Sequence, residues 1–363
     1  MLSRRILSVD LLRGLTIAAM ILVNNPGSWG AVYAPLLHAP WHGYTPTDLI
    51  FPFFLFMVGC SIAFAYRGKR ATAATYRKIG VRGLKLIGLG LFLGAFLIVP
   101  PFVKMWPEIR LPGVLQRIGV VFLIAAPVAL HMRTRRLILL TAVLLLGYWV
   151  WMGFIPLPDG RAPTYERAAN NWAMYVDKLI LGSHTWKEDY DPEGLLSTIP
   201  SVASCLIGVI TGRFLLRKGN EKVRNLLLGG GALVAGGHVW DLVFPINKTL
   251  WTSSFVLVTA GWALIFLGVI YYLTDVRGWK IGGVFSRAGA NALILFFLSS
   301  FFAKIFGSIR VGETSLHGYL YETIFLQSFW PEKFASLLYA LALVALYMAL
   351  GSWLYRRNIF IKV

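Results

Sequence analysis

Between Asn24 and Phe54 the sequence reads NNPGSWGAVYAPLLHAPWHGYTPTDLIFPFF, which gathers Asn24, Asn25, Trp29, Tyr33, His38, Trp41, His42, Tyr44 and Asp48 into one stretch. Imidazole is the side chain whose charge changes near neutral pH, so His38 is the natural proton-handling group here. Pro26, Pro35, Pro40 and Pro46 rule out a continuous helix, because each lacks an amide proton and restricts its predecessor. The stretch is therefore a shaped loop, and loops held by rigid elements are common seats of chemistry. The competing reading is an interfacial belt of Trp and Tyr in which the histidines are incidental.

The elements that hold this loop are apolar. Hydrophobic residues make up 57% of the 363, charged residues only 14%, and mean hydropathy is +0.66, which excludes an ordinary soluble enzyme. The chain reads as an all-α integral membrane protein, a single transmembrane domain over 1–363. Cys60 and Cys205 lie far apart in apolar runs without metal-ligand spacing, and read as small core residues. No metal site is expected, since the six histidines form no ligand set.

The first span runs from Ser3 to Asn24, roughly 33 Å of helix at 1.5 Å per residue and long enough to cross a bilayer. Further spans follow at 48–66, 83–99, 113–130, 137–155, 194–215, 225–244, 252–273, 288–306 and 334–354, about ten transmembrane helices in all. With both termini cytoplasmic, 23 of the 35 Lys and Arg fall on inner loops and tails and ten on outer ones, which is the asymmetry that orients membrane proteins. The net charge of +19 then reflects basic inner loops facing anionic lipid, and no nucleic acid partner is expected. The glycines at Gly90 to Gly94 and Gly229 to Gly237 read as close helix contacts.

Loop 25–47 is the expected active-site loop, and 156–193 a long extracytoplasmic loop. The latter carries Glu188, Asp189 and Asp191, with Glu193 at its end, as either a solvated surface or an attraction for a cationic substrate. Asp10 and Arg13, three apart on one helical face, predict an ion pair inside the membrane. Arg117, His238, Asp241, Asn247, Lys248 and Asn291 also lie in or near spans, where unpaired polar groups are costly. Such a polar path suits either a transporter or a membrane enzyme, and physical reading leaves both open.

The blocks RILSVDLLRGL, ILVNNPG, HAPWHGYTPTDLIFPFFLFMVG, PGVLQRIGV, DPEGLLSTIPS and PINKTLWTSSF occur in order from Arg5 to Phe255. Together they resemble the transmembrane heparan-α-glucosaminide N-acetyltransferase family and its bacterial NagX-like relatives. The resemblance implies transfer of an acetyl group from cytosolic acetyl-CoA to the amino group of glucosamine, or of a terminal glucosamine residue, on the extracytoplasmic side. It implies acetyl-CoA as co-substrate with no permanently bound cofactor, an amino sugar acceptor, the lipid bilayer as surroundings, the bacterial inner membrane as location, and an assembly that could be a homodimer. The family's amino-terminal lumenal domain has no counterpart in this sequence, which suggests a small acceptor.

Residue by residue, the family's active-site histidine maps onto His38 of His38-Ala39-Pro40-Trp41, its asparagine onto Asn24, and its aspartate onto Asp48. His38 and Asn24 are thereby the expected catalytic residues, and Asp48 and Trp41 the expected substrate contacts, with His42 as a substitute for His38. A protonated amine cannot attack a thioester, so the site must take a proton and stabilise the developing oxygen charge. His38 could act as base or carry the acetyl group covalently. Asn24 could bind the carbonyl oxygen, and Asp48 could attract the amine or fix the imidazole tautomer.

Overall fold

The computed structural model describes residues 6–361. In chain order its α-helices are α1 (Leu7–Asn24), α2 (Ile50–Ala65), α3 (Ala73–Ala95), α4 (Val114–His131), α5 (Thr134–Phe154), α6 (Trp172–Leu181), α7 (Thr198–Leu215), α8 (Lys222–Asp241), α9 (Ser253–Tyr271), α10 (Gly283–Gly289), α11 (Ala292–Ser308), α12 (Leu316–Leu320) and α13 (Glu332–Arg356). Among the described residues the sheet is one antiparallel pair, β1 (Arg310–Val311) and β2 (Thr314–Ser315). The chain is an all-α membrane protein.

Among the described residues seven segments are long and apolar enough to cross a bilayer: α1, Pro46–Ala65, α4, α5, α7, Ser253–Val276 and α13. The bent pair α10 and α11 forms an eighth, with an 85° break where a single span at 288–306 was expected. Asn291 sits at that break, accepting from the Ile361 amide and donating to the Ile359 carbonyl, so its polarity serves the carboxyl-terminal tail. The helices α3 and α8, with 23 and 20 residues, are long enough but less apolar, because α3 carries Arg77, Lys78, Arg82 and Lys85 and α8 is glycine-rich. Of the ten expected spans, seven or, with the bent pair, eight therefore have the length and apolarity to cross, and α3 and α8 match the other two in position and length.

Glycine lets the most intimate pairs approach. A Cβ on Gly59 of α2 would stand 2.0 Å from the Cys205 carbonyl oxygen of α7, and one on Gly208 would stand 2.0 Å from that of Phe56. Gly230 and Gly261 bring α8 and α9 together in the same way, as the glycine run predicts. Cys60 and Cys205 are buried and free at this seam. The core extends through α1, α2, α4, α7, α9, α11 and α13, while Ile138, Leu139, Val143, Leu146 and Val150 of α5 face outward, as lipid contact requires. The predicted Asp10–Arg13 pair forms at 3.3 Å, and Arg13 also donates to Ser61 at 2.8 Å and to the Gly289 carbonyl.

Loops alternate between two ends of the bundle. At one end the α1–α2 loop bonds to the α8–α9 loop (Gly43 N–H to Ile246 O, 2.7 Å), to the α5–α7 segment through Trp41, and to α12 and α13 through Gly27 and Ser28. At the other, Leu7 and Ser8 amides donate to Asp275, Arg213 donates to Met132, and the tail after α13 meets Asn291. The start of α1 and the end of α13 thus share one end, as an even number of crossings requires. Arg4, Arg5 and Lys362 of the charge argument lie outside the described residues.

The segment between α5 and α7 is a folded cover, with α6 inside it. Asn171, Trp172, Asp177 and Asp191 are buried, and Asp191 and Glu193 clasp Arg110 from the α3–α4 connection. A solvated acidic surface is therefore the wrong description of Asp191 and Glu193; both carboxylates are buried against one guanidinium, which offsets part of their charge. Burial works against the charge of Arg110, and these carboxylates more than reverse that effect, raising its pKa above the ordinary arginine value.

Candidate active site

Asp48 lies in the short 3-10 turn Pro46–Leu49 that leads into α2. Pro46 presets the backbone at the turn's start, and Thr45 and Asp48 cap it reciprocally: the Thr45 amide donates to Asp48 Oδ2 at 2.9 Å, and the Asp48 amide to the Thr45 carbonyl at 3.0 Å. The Ala39 amide also donates to Oδ2, at 3.0 Å, while the Thr45 hydroxyl lies 3.2 Å from Oδ2 and gives its proton to the nearer Leu37 carbonyl at 2.6 Å. The remaining oxygen, Oδ1, stands 2.6 Å from His38 Nδ1. Asp48 is fully buried, whereas 54% of the His38 side chain is open to solvent.

This arrangement fixes the imidazole. A carboxylate that only accepts must receive a proton from Nδ1, which leaves the Nε2 lone pair available as a base. Asp48, expected at the substrate or behind the ring, lies sealed beneath His38 with Oδ1 against Nδ1.

Lys248 approaches from the α8–α9 loop. Its Nζ stands 3.0 Å from His38 Nδ1, 3.1 Å from Nε2 and 3.5 Å from Asp48 Oδ1, beside the ring and not in line with one lone pair. Burial lowers the pKa of this ammonium below the ordinary lysine value, against the opposing pull of Asp48 and Glu193. The loop that carries it is rigid: Asn247 is buried, its side-chain oxygen accepts from the Leu250 amide and its backbone amide donates to the Thr252 hydroxyl oxygen, while Tyr148 donates to the Leu250 carbonyl. Trp251, fully buried, holds a left-handed φ of 52°, a conformation that costs energy for a bulky residue and persists only where its surroundings enforce it. Its indole donates to Ser204, and Arg117 lies over its ring.

The other expected residues divide. Trp41 is half-buried, donates to the Tyr165 carbonyl at 3.0 Å and sets its edge against Tyr190, which ties the His38 loop to the cover. His42 meets Glu166 at 3.1 Å and lies 3.5 Å from Asn247. Asn24, the last residue of α1, is exposed and forms no hydrogen bond to His38 or Asp48. The interfacial reading suits only the first half of the loop, where Trp29 is 68% exposed and Tyr33 is exposed too.

Lys248, Asn247 and Trp251 complete a site that residue types alone did not assemble. The signal available was the polar PINK sequence beside an apolar span, which carries no indication of its distant partner. At the opposite end, a cleft of about 370 Å³ lies between the ends of α2, α4 and α7, lined by Ile62, Tyr66, Arg67, Lys69, Arg213 and Arg217.

Comparison with known proteins identifies relatives of the chain. The family model described as heparan-alpha-glucosaminide N-acetyltransferase, catalytic, matches residues 5–237. The heparan-alpha-glucosaminide N-acetyltransferase of Homo sapiens is 30% identical over 355 residues, covering 80% of this chain and 52% of the human protein. That of Mus musculus is 28% identical over 357 residues, covering 81% and 53% respectively. The chain spans about half the length of the curated relatives it matches.

Proposed function

The chain belongs to the heparan-alpha-glucosaminide N-acetyltransferase family, and we propose on this basis that it moves the acetyl group of acetyl-CoA to the amino group of glucosamine or a terminal glucosamine residue. The observation that carries the reading is the His38–Asp48 pair at 2.6 Å, with the imidazole open to solvent at one end of a helix bundle. His38 Nε2 removes a proton from the acceptor amine as its nitrogen attacks the acetyl carbon. The carbon–sulfur bond then breaks, and the departing thiolate takes the proton from the imidazolium. Asp48 holds the ring in the reactive tautomer, and Trp41 offers an aromatic edge at the acceptor's entrance. Asn24, exposed at the end of α1, presents its amide to the substrates.

The donor is supplied from the cytosol and the acceptor from the extracytoplasmic side of a bacterial inner membrane. The charge bias supports this sidedness, and so does the cleft bearing Arg67, Lys69 and Arg217 at the end remote from His38, where a polyphosphate donor finds cations.

Reconstituted vesicles with acetyl-CoA on one side and glucosamine on the other test the proposal. N-acetylglucosamine is expected on the acceptor side without bulk passage of either substrate. Unmodified glucosamine crossing, with no acetylated product, would identify a transporter.

A further inference from the structure

We propose that Lys248 is a further catalytic residue, whose ammonium donates to the oxygen that becomes negative when the acceptor amine attacks the acetyl carbon. This rests on the acetyl-transfer reading above. Lys248 lies beyond residues 5–237 that the family model matches, and 210 positions from His38.

Three observations carry the assignment. The first is that Asp48, whose buried charge Lys248 balances at 3.5 Å, is not the group nearest to the ammonium. The Asp48 oxygens already receive His38 Nδ1–H and the Ala39 and Thr45 amides, and the ammonium lies farther from Asp48 than from the ring. A lysine placed only to neutralise the carboxylate has no reason to stand closer to imidazole than to its counter-charge.

The second observation is geometric. The base atom Nε2 and the cation Nζ are 3.1 Å apart. In a tetrahedral adduct the attacking nitrogen and the oxyanion stand on the order of 2.3 Å apart, from ordinary single-bond lengths and angles. A base that takes the proton from the nitrogen and a donor that reaches the oxygen must then be neighbours of one another, as these two atoms are. An ammonium has three donors, and this one, nearly equidistant from both ring nitrogens, is in line with neither, so the Nε2 lone pair stays free. At least one donor remains for a ligand.

The third is that the position is held firmly. Lys248 follows the buried Asn247, its carbonyl accepts from the Trp251 amide, and Trp251 sustains a left-handed backbone against its own cost. Only 18% of the lysine side chain is exposed, so its charge acts with little screening by water. A preorganised cation contributes most in such a place, because it needs no reorganisation when charge develops.

The reaction balances with the groups named. The amine nitrogen bonds to the acetyl carbon, its proton passes to His38 Nε2, and the carbonyl electron pair moves to the oxygen beside Lys248. The pair returns as the carbon–sulfur bond breaks, and the thiolate leaves with the proton from His38.

The test compares the wild-type protein with Lys248→Met, Lys248→Arg and Lys248→Cys, each as monodisperse protein with acetyl-CoA binding measured separately. Lys248→Met is expected to lower kcat by roughly 10²- to 10³-fold, with little change in KM for acetyl-CoA. Lys248→Cys is expected to be equally slow, and alkylation with 2-bromoethylamine, which restores an ammonium at nearly the original reach, to recover at least a tenth of wild-type kcat. Lys248→Arg, which keeps the charge but displaces it, is expected to fall between. Near-normal kcat in Lys248→Met, or a slow Lys248→Cys that alkylation does not rescue, overturns this assignment alone. Absence of acetyl transfer by the wild-type protein overturns the proposed function as well.

Discussion

His38 is the residue through which transfer must pass on this reading, and its setting makes its loss measurable apart from folding. Its side chain is more than half exposed and its removal leaves Asp48 with two amide donors and the Lys248 ammonium, so His38→Ala should insert and fold. Loss of a general base is expected to cost roughly 10²- to 10⁴-fold in acetyl transfer, read at matched protein levels with acetyl-CoA binding retained. His42, which faces Glu166 and Asn247, should tolerate the same change far better. Asp48→Asn tests the ring-fixing role. The amide keeps the size but no longer dictates which imidazole nitrogen carries the proton, so kcat should fall while KM for glucosamine stays nearly constant. A selective rise in that KM would return Asp48 to the amine-attracting role.

Among the elements, the cover between α5 and α7 decides whether the His38 loop stays in place, since it receives Trp41, His42 and Arg110. Its weak point is Asp177 of α6, 2% exposed, whose carboxylate accepts from the Leu195 amide. Burial raises its pKa from 3.8 to about 6, aided by Asp191 and opposed by that hydrogen bond and by Arg117. The folded state thus holds this proton more tightly than the unfolded one. The associated stability is fully present below about pH 4 and is lost as pH rises through about 6, amounting to about 3 kcal/mol. Asp177→Asn keeps an acceptor but no charge. Its thermal midpoint is therefore expected to exceed that of wild type at pH 8 and to converge with it near pH 4, as followed by thermal unfolding in detergent. A constant difference across that range would show that Asp177 does not titrate in the fold.

For the whole molecule, the segregation of loops to two ends turns the charge bias into a topology. The end that bears His38, Lys248 and the cover should face outward, and the end that bears Lys69 and Arg135 should face the cytoplasm. Cysteines replacing Trp186 and Lys69, both exposed, report this in intact cells with an impermeant thiol reagent, because Cys60 and Cys205 are buried. Labelling is expected at position 186 and not at position 69. The reverse pattern would place acetyl-CoA and acceptor on the opposite sides from those proposed.

The sequence by itself determined the all-α membrane class, the ten helical segments, the loop shaped by four prolines, and His38 with Asp48 inside it. Each is local: span length and apolarity act within about 20 residues, proline acts on its own neighbours, and ten positions separate His38 from Asp48. It also anticipated the Asp10–Arg13 pair, three positions apart, and the glycine seams. Only the tertiary structure brought Lys248 to His38 across 210 residues, Arg110 to Asp191 across 81, and Asn291 to the carboxyl-terminal tail. It also drew Asp191 and Glu193 out of the acidic loop into a buried clasp while Glu188 and Asp189 stay exposed, sealed Asp48 beneath the imidazole, and left Asn24 at the exposed end of α1. The physical reason is that helix packing decides which loops meet at one end of the bundle. No period or local propensity records which charge will face which once they do.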